Sequence, residues 1–484
     1  MENLGLIFAP LFSYKLLIVL FFGTIFGLIL GVLPGLGPTT GGALILPFTM
    51  TLDPLSAIVL LTAIYCAGTY GGAITAILIN TPGTPAAAAT CLDGYPLAQK
   101  GEAGRALGMA TVSSVIGGIA SVIVLIFFAP LLANLAYEFG QPEYFALAIF
   151  GLTMLASIGE GSPIKNLIAG AFGILISTVG KDFMTSIDRF TFGINELTEG
   201  IGFIPVVVGL FAISEMLTQS TLINQIFNRV ALKAVKLPSI DDYKKTWKTI
   251  IRSSGIGSFI GVLPAEGGTV ASLIGYAEAK RWSKKPEDFG KGSIEGIAGA
   301  EAANNAATGG AMVPTLALGI PGSATTAVIL TGLIIHGVRP GPDLFREQPE
   351  FLYGIFGSML IANILFFVLG FFGAKIFARI TPMIFAVSVC GTYSLNQSII
   401  DVWLMLLFGV IGFFMRRYGF SVVPVIIGLI LGELVEGTLR QSLVIFDGNW
   451  LMFLQRPIAL TFFVLSLIAL SFPLIKRKKK NDKV

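Results

Sequence analysis

Two short segments combine proline, glycine and hydroxyl side chains in a pattern suited to holding an anion. They are 80–84, with the sequence Asn-Thr-Pro-Gly-Thr, and 319–326, with Gly-Ile-Pro-Gly-Ser-Ala-Thr-Thr. Proline interrupts a helix, glycine admits close approach to the backbone, and a helix that restarts there presents N–H groups and a positive dipole end. We therefore predict a carboxylate site formed by Asn80, Thr81, Gly83, Thr84, Gly322, Ser323, Thr325 and Thr326.

The elements that would carry these tips are helices broken inside an apolar stretch. The run 73–80 predicts a half-helix of roughly 12 Å, less than half of the ~30 Å hydrocarbon core. The run 312–318 repeats this design before the second tip. Carbonyl groups at the C-terminal ends of half-helices suit Na⁺, so Na⁺ at the tips is part of the prediction. The alternative is that Pro-Gly only kinks the helices for packing.

A second pair of small, hydroxyl-rich segments follows Pro34 and Pro264. It supplies candidates for the coupling ion, namely Gly35, Gly37, Thr39, Thr40, Glu266, Gly267, Gly268 and Thr269, with close packing as the alternative role. Glu266 either carries a proton or cation, or lies at a water-filled rim, because an acid in an apolar segment is costly. Asn304 and Asn305, with Glu301, either face the same site or start a cytoplasmic helix. His336 is read as a loop residue.

The amino-acid composition indicates that the chain is surrounded mainly by lipid. Of 484 residues, 54% are hydrophobic and 12% charged, against roughly a quarter charged in soluble domains. The single histidine and three scattered cysteines argue against a histidine metal site or a disulfide framework. The fold class is an all-α polytopic membrane protein with about 11–14 membrane segments of about 20 residues each. A soluble enzyme and a nucleic-acid binder are excluded.

More than half of the 32 Lys and Arg residues cluster in the segments 218–252, 278–301 and 476–483. The positive-inside rule puts all three segments, and therefore the C-terminus, in the cytoplasm. The charge runs are interpreted as solvated loops.

The two halves of the chain repeat each other. Gly31-Val-Leu-Pro matches Gly261-Val-Leu-Pro at an offset of 230, and Pro82-Gly-Thr matches Pro321-Gly-Ser at an offset of 239. Ala67-Gly-Thr also matches Ala306-Ala-Thr at 239. The charge pattern predicts opposite orientations, hence two inverted repeats with a site at their interface. The predicted divisions are a first repeat over 1–217, a basic cytoplasmic linker over 218–252, a second repeat over 253–437, and a final helix with a basic tail over 438–484.

The motifs resemble those of the large membrane subunit of the bacterial tripartite tricarboxylate transporter family. The resemblance rests on 31–42, on the long segment 70–85, on 94–97 and on 319–323. It implies a subunit of the cytoplasmic (inner) membrane that works with an extracytoplasmic solute-binding protein and a small four-helix membrane subunit. It also implies import of a small carboxylate, with citrate as the default, coupled to Na⁺ or H⁺ and without ATP or an organic cofactor.

Three alternatives remain at the level of sequence. An importer of another organic anion, such as an aromatic dicarboxylate or a sugar acid, would use the same mechanism. An anion channel is the second, although paired tips are unusual in a long open pore. A membrane-embedded enzyme is the third, and the lack of clustered His, Cys or paired acids in the spans argues against it.

Overall fold

A computed structural model describes residues 13–33, 36–80, 82–158, 162–182, 185, 187–198, 200–214, 217–218, 235–263, 267–377 and 399–481. The described chain is helical apart from a small antiparallel pair, β1 (Gly180–Lys181) and β2 (Asp188–Arg189). The first half contains α1 (Tyr14–Val32), α2 (Gly37–Thr49), α3 (Pro54–Ile79), α4 (Ala88–Leu97), α5 (Ala103–Ala136), α6 (Gln141–Ile158), α7 (Pro163–Ser177) and α8 (Phe203–Val207). The second half contains α9 (Ile240–Val262), α10 (Gly267–Trp282), α11 (Ile294–Leu318), α12 (Ala324–Ile335), α13 (Pro342–Glu347), α14 (Pro349–Phe377), α15 (Ile399–Arg417), α16 (Val423–Ile445) and α17 (Pro457–Asn481).

Several helices have the length and composition of membrane spans. Within the described residues, four stretches qualify, namely Tyr14–Val32, Pro54–Leu78, Pro85–Ala136 and Pro349–Gly373. Phe22, Phe127 and Phe372 are more than half exposed on such helices, which suits surfaces solvated by lipid. The chain is thus an all-α, multi-pass membrane protein, and the predicted total of segments stays a prediction.

The helix boundaries of the two halves are related by the same offsets as the sequence motifs. Helices α1 and α9 end at Val32 and Val262, separated by the same 230 residues as the first motifs. Helices α2 and α10 begin at Gly37 and Gly267, again 230 apart. Helices α3 and α11 end at Ile79 and Leu318, which are 239 apart. The offset read from short motifs therefore identifies structurally equivalent helices.

Equivalent helices also pack in equivalent ways. Helix α3 lies against α1, and α11 lies against α9. In the first pair Gly31 lies against Gly68, and in the second pair its counterpart Gly261 lies against Ala307, the counterpart of Gly68. In addition, α3 packs on α14 and α11 packs on α5, so each half's central helix contacts the other half. The interface between the halves is thereby built around α3 and α11.

The predicted half-helices before the two tips are wrong. The run 73–80 is the end of α3, a continuous helix of 26 residues, and the run 312–318 is the end of the 25-residue α11. The break comes afterwards, where Asn80 and Gly319 adopt left-handed backbone conformations with φ of 54° and 68°. The apolar runs underestimate the helix lengths, because α3 and α11 also include the small and hydroxyl residues that precede these runs.

After each left-handed residue the chain folds back along the helix it has just left. The Gly83 N–H donates to the Gly72 carbonyl at 3.2 Å, and a Cβ on Gly83 would lie 2.0 Å from the Gly31 carbonyl oxygen. A Cβ on Gly322 would likewise lie 2.7 Å from the Ala311 Cα. Each tip therefore reaches the middle of its helix, and α4 and α12 begin near that level.

The glycine at position 261 is expected to be required by packing. Gly261→Ala places a methyl group 2.5 Å from the Ala307 carbonyl, whereas Gly255→Ala, also in α9, meets nothing within 4 Å. Both changes gain helix propensity of about 1 kcal/mol, but overpacking costs about 1–3 kcal/mol. The thermal unfolding midpoint in detergent should be lower for Gly261→Ala than for Gly255→Ala. Equal midpoints would contradict the close approach.

Candidate functional site

A cavity of ≈ 120 Å³ lies where the two halves meet. Its lining comes from the starts of α2 and α10, the middles of α3 and α11, and the two tips. The fourteen residues are Pro38, Thr39, Tyr65, Thr69, Thr84, Pro85, Ala86, Gly268, Thr269, Asn304, Thr308, Ser323, Ala324 and Thr325.

These fourteen residues form seven pairs related by the internal repeat. Two pairs are separated by 230 positions: Pro38 with Gly268 and Thr39 with Thr269. The other five are separated by 239 positions: Tyr65 with Asn304, Thr69 with Thr308, Thr84 with Ser323, Pro85 with Ala324, and Ala86 with Thr325. No lining residue lacks its counterpart. Equivalent positions of the two sequence repeats therefore line the cavity together.

Hydroxyl groups join the two halves across this cavity. The Thr39 and Thr325 hydroxyl oxygens lie 2.7 Å apart, and the Tyr65 hydroxyl lies 3.3 Å from the Ser323 Oγ. Each contact links residues more than 250 positions apart. Hydroxyl groups from both halves of the chain are thus clustered in the wall of this cavity.

Two side chains of the lining have polar atoms without a protein partner. Asn304 is 1% exposed, and neither its amide nitrogen nor its amide oxygen is hydrogen-bonded. Thr84 is 5% exposed, and its Oγ1 is likewise unpartnered. Buried polar atoms are nearly always hydrogen-bonded in native proteins. In the cavity wall, these unpartnered atoms are available to form hydrogen bonds with a polar ligand.

A larger chamber of ≈ 420 Å³ adjoins the cavity. The two share Pro38, Thr39, Thr84, Pro85 and Ala324 in their walls, so they are direct neighbours. The chamber is also lined by Arg416, whose Nε donates to the Ser214 Oγ at 3.2 Å. Together the two volumes reach the size of small-molecule sites, about 300–1,000 Å³. The polar side chains of the lining are neutral, apart from Arg416 in the chamber.

The comparisons with known proteins identify the family of the chain. A model of the tripartite tricarboxylate transporter TctA family matches residues 17–427. The chain belongs to this family. The family consists of transporter components, so this TctA-family chain is part of a transporter and is not an enzyme.

Two relatives from Agrobacterium vitis extend the similarity. The chain is 38% identical over 494 residues to an uncharacterized 52.8 kDa protein in the TAR-I ttuC' 3' region, covering 100% of this chain and 98% of the relative. It is 36% identical over 237 residues to a protein in the TAR-II ttuC' 3' region, covering 47% of this chain and 98% of that relative. No solved structure matches the chain.

The structure brings together many of the residues predicted from sequence. Those lining the cavity are Thr39, Thr84, Gly268, Thr269, Asn304, Ser323 and Thr325. Gly37, Thr40 and Gly83 line the adjoining chamber. The alternative in which Asn304 starts a cytoplasmic helix is wrong, because α11 begins ten residues earlier at Ile294. Gly35, Thr81 and Glu266 lie outside the described residues.

Other predicted residues take part in local structure instead of lining the cavity. Asn80 is exposed and forms the left-handed end of α3, where asparagine is tolerated. The Gly322 N–H donates to the Thr315 hydroxyl at 3.2 Å. Thr326 forms a capping box with Ser323, which uses two of the N–H groups predicted to be free at the start of α12. Gly267 is buried against Gly261.

Asn305, the remaining candidate, is turned away from the cavity. Its amide nitrogen donates to the Ser114 Oγ at 2.8 Å and to the Glu301 carboxylate at 3.3 Å. This polar cluster lies behind the cavity wall formed by Asn304.

Sequence reasoning missed Tyr65, Thr69 and Thr308 as lining residues, and Arg416 as a chamber residue. The 239-residue offset was a usable signal for the first three, since Thr69 and Thr308 occupy equivalent places in a repeated motif. Arg416 had no such signal. It reaches the chamber through the packing of α15, which lies far from the tips in sequence.

Ser323 and Thr84 are equivalent positions with different expected effects on stability. The Ser323 Oγ accepts the Thr326 N–H at 3.2 Å as a helix cap, so Ser323→Ala should cost about 0.5–2 kcal/mol. Thr84→Val removes an unpartnered hydroxyl and should leave the unfolding midpoint unchanged or raise it. Thermal unfolding of both purified variants tests this contrast. An equal loss in both would mean that the Thr84 hydroxyl has a structural partner.

Proposed function

We propose that this chain is the large membrane subunit of a secondary transporter that imports a di- or tricarboxylate. Citrate is the default substrate, and another organic anion is the runner-up. The observation that carries the proposal is the cavity of seven repeat-related pairs, with the unpartnered atoms of Thr84 and Asn304 in its wall. Transporters built from inverted repeats bind substrate at the repeat interface near the membrane midplane.

The substrate carboxylates are bound by neutral donors in this proposal. Thr84 and Asn304 donate from the cavity wall, which also carries the hydroxyls of Thr39, Thr269 and Thr325. The dipole at the start of α12 adds favourable potential for a negative group. Na⁺ at the tip carbonyls, or H⁺, provides the coupling, and no organic cofactor takes part.

The membrane topology in this proposal is that of inverted repeats over 1–217 and 253–437. Two contacts support it on the cytoplasmic side. Arg105 at the start of α5 pairs with Asp242 of the basic linker at 2.5 Å, and the Lys100 Nζ donates to the Lys291 carbonyl of the second basic loop at 2.6 Å. Both basic segments thus lie beside the start of α5. This is expected if 218–252 and 278–301 share the cytoplasm with the basic C-terminal tail.

An ion-pair network supports the opposite side of the membrane. Arg440 pairs with Asp182 at 2.5 Å, and Arg189 pairs with Glu436 at 2.8 Å. These pairs join the β1–β2 loop to α16. Neither the loop nor 438–456 belongs to the three basic segments, so the proposed topology places both on the extracytoplasmic side, and their contact is consistent with that placement.

The partners in this proposal are those of the family. An extracytoplasmic solute-binding protein delivers the carboxylate, and a small four-helix subunit completes the complex in the bacterial cytoplasmic membrane.

Uptake of labelled citrate into proteoliposomes tests the transport proposal. The complex should accumulate citrate only with the binding protein outside and an inward Na⁺ or H⁺ gradient. Accumulation that is the same with and without an ion gradient would overturn secondary active transport.

Thr84→Val then tests the location of the site. It removes one donor, so the apparent KM for citrate should rise about 5-fold, which corresponds to about 1 kcal/mol. Thr331→Val is the control, because the Thr331 hydroxyl donates to the Ala327 carbonyl within α12 at 2.9 Å. An unchanged KM in Thr84→Val would move the site away from the first tip.

Arg416 is expected to attract the anion in the chamber. Arg416→Gln should slow citrate exchange severalfold at low salt and weaken its dependence on ionic strength, because charge steering is screened by salt. Arg417→Gln serves as the control, since Arg417 is the exposed neighbour on the same helix. Equal behaviour of the two variants would contradict a role for Arg416 in the anion path.

A further inference from the structure

An acidic side chain is fully buried one turn before Asn304 on α11. Glu301 is 0% exposed. Its carboxylate accepts hydrogen bonds from the Thr90 hydroxyl, from the Ser114 Oγ at 3.0 Å and from the Asn305 amide nitrogen at 3.3 Å. These donors come from α4, α5 and α11. All three are neutral, so the carboxylate is surrounded by dipoles and not by a cation.

The charged and titratable groups on the packed elements have partners of their own. Arg105 of α5 pairs with Asp242 and Glu102, and among the described residues no ion pair of Glu301 is formed. Asp93 of α4 accepts three backbone N–H bonds at the start of α11. Tyr70 of α3 is hydrogen-bonded to Thr111, and Tyr276 of α10 packs edge-on against Phe289. Arg252 of α9 lies over the Trp282 ring, and Cys91 of α4 is a free thiol.

Burying an unpaired charge costs several kcal/mol, whereas a neutral acid costs much less. The observed contacts suit the neutral form. A protonated Glu301 donates its O–H to the Thr90 hydroxyl oxygen and still accepts from Ser114 and Asn305. The site therefore holds a proton with its heavy atoms in place, since only the hydrogen of the Thr90 hydroxyl, which donates to the ionised form, has to turn away.

The internal repeat shows that the helix does not need an acid at this position. The residue equivalent to Glu301 at the 239-residue offset is Thr62 of α3. Its hydroxyl donates to the Ile58 carbonyl at 2.9 Å, so α3 packs without a buried carboxyl group. Glu301 breaks the pseudo-symmetry next to the cavity, since Asn304 on the following turn lines it.

We propose that Glu301 is a proton-binding residue that couples proton movement to substrate translocation. In the conformation described, it is the neutral acid. When α11 shifts and Glu301 meets water on the other side, its O–H bond breaks, the proton passes to water and the carboxylate keeps the electron pair. This inference rests on the proposed function, because it assigns the coupling ion of the same transporter.

Infrared difference spectroscopy tests the protonation without substrate. The purified chain at neutral pH should show the carbonyl-stretch band of a protonated carboxylic acid, which shifts in D₂O and is missing in Glu301→Gln. Glu295→Gln is the matched control on α11, where Glu295 accepts from the Ser283 hydroxyl at 2.5 Å, and it should retain the band. Absence of the band in the unaltered chain, or its persistence in Glu301→Gln, would overturn the proposal.

Transport by the same variants tests the coupling. Glu301→Gln should exchange labelled citrate across proteoliposomes but lose accumulation driven by a pH gradient, while Glu295→Gln keeps both. Accumulation driven by Na⁺ alone, equal in Glu301→Gln and the unaltered protein, would overturn proton coupling. Failure of the unaltered complex to move citrate would count against the proposed function instead, and the infrared band would still decide whether Glu301 holds a proton.

Discussion

The close approach of each tip to the helix behind it is the contact on which the site depends. Gly83 lies against Gly72 and Gly31, and Gly322 lies against Ala311, at distances that leave no room for a side chain. Because the chain that folds back lies this close to the helix, α4 and α12 begin in the middle of the helical bundle. Backbone that is not helical is tolerated at such depth only where it is buried in protein or lines a wet cavity. These tips meet both conditions at once.

The repeat relates the two tips, and the differences within it assign distinct tasks. The hydroxyls at Thr84 and Ser323 are equivalent in position, but Ser323 caps α12 while the hydroxyl of Thr84 has no protein partner. Tyr65 and Asn304 are also equivalent, and only Asn304 has unpartnered polar atoms. Glu301 corresponds to Thr62. The symmetric scaffold therefore supplies the shape of the cavity, whereas its asymmetric residues supply the bonding groups and the acid.

The sequence predicts the hydroxyl-rich tips, the repeat and the helical membrane class, since each is written in local motifs and composition. It fails where the answer depends on how far the chain folds back. The run 73–80 is predicted as a half-helix because the residues just before it, 66–72, are mostly small or carry hydroxyl groups. Helix α3 nevertheless continues through them. Asn80 reads as a donor, yet its left-handed backbone and exposure assign it to the end of a helix. Arg416 is not marked as a site residue by any local motif, because only tertiary packing brings α15 to the chamber.

The choice of neutral donors has a physical reason in a carrier. A carboxylate bound by a fixed buried arginine would be held by a charge-assisted pair, roughly twice as strong as a neutral hydrogen bond. A site that must also release its ligand requires binding that is favourable but weak enough to reverse. In the proposed carrier, hydroxyls and one amide would give that balance, with Arg416 in the larger chamber to attract the anion. The buried acid that we propose as the proton site would add what neutral donors lack, a charge that changes during the cycle.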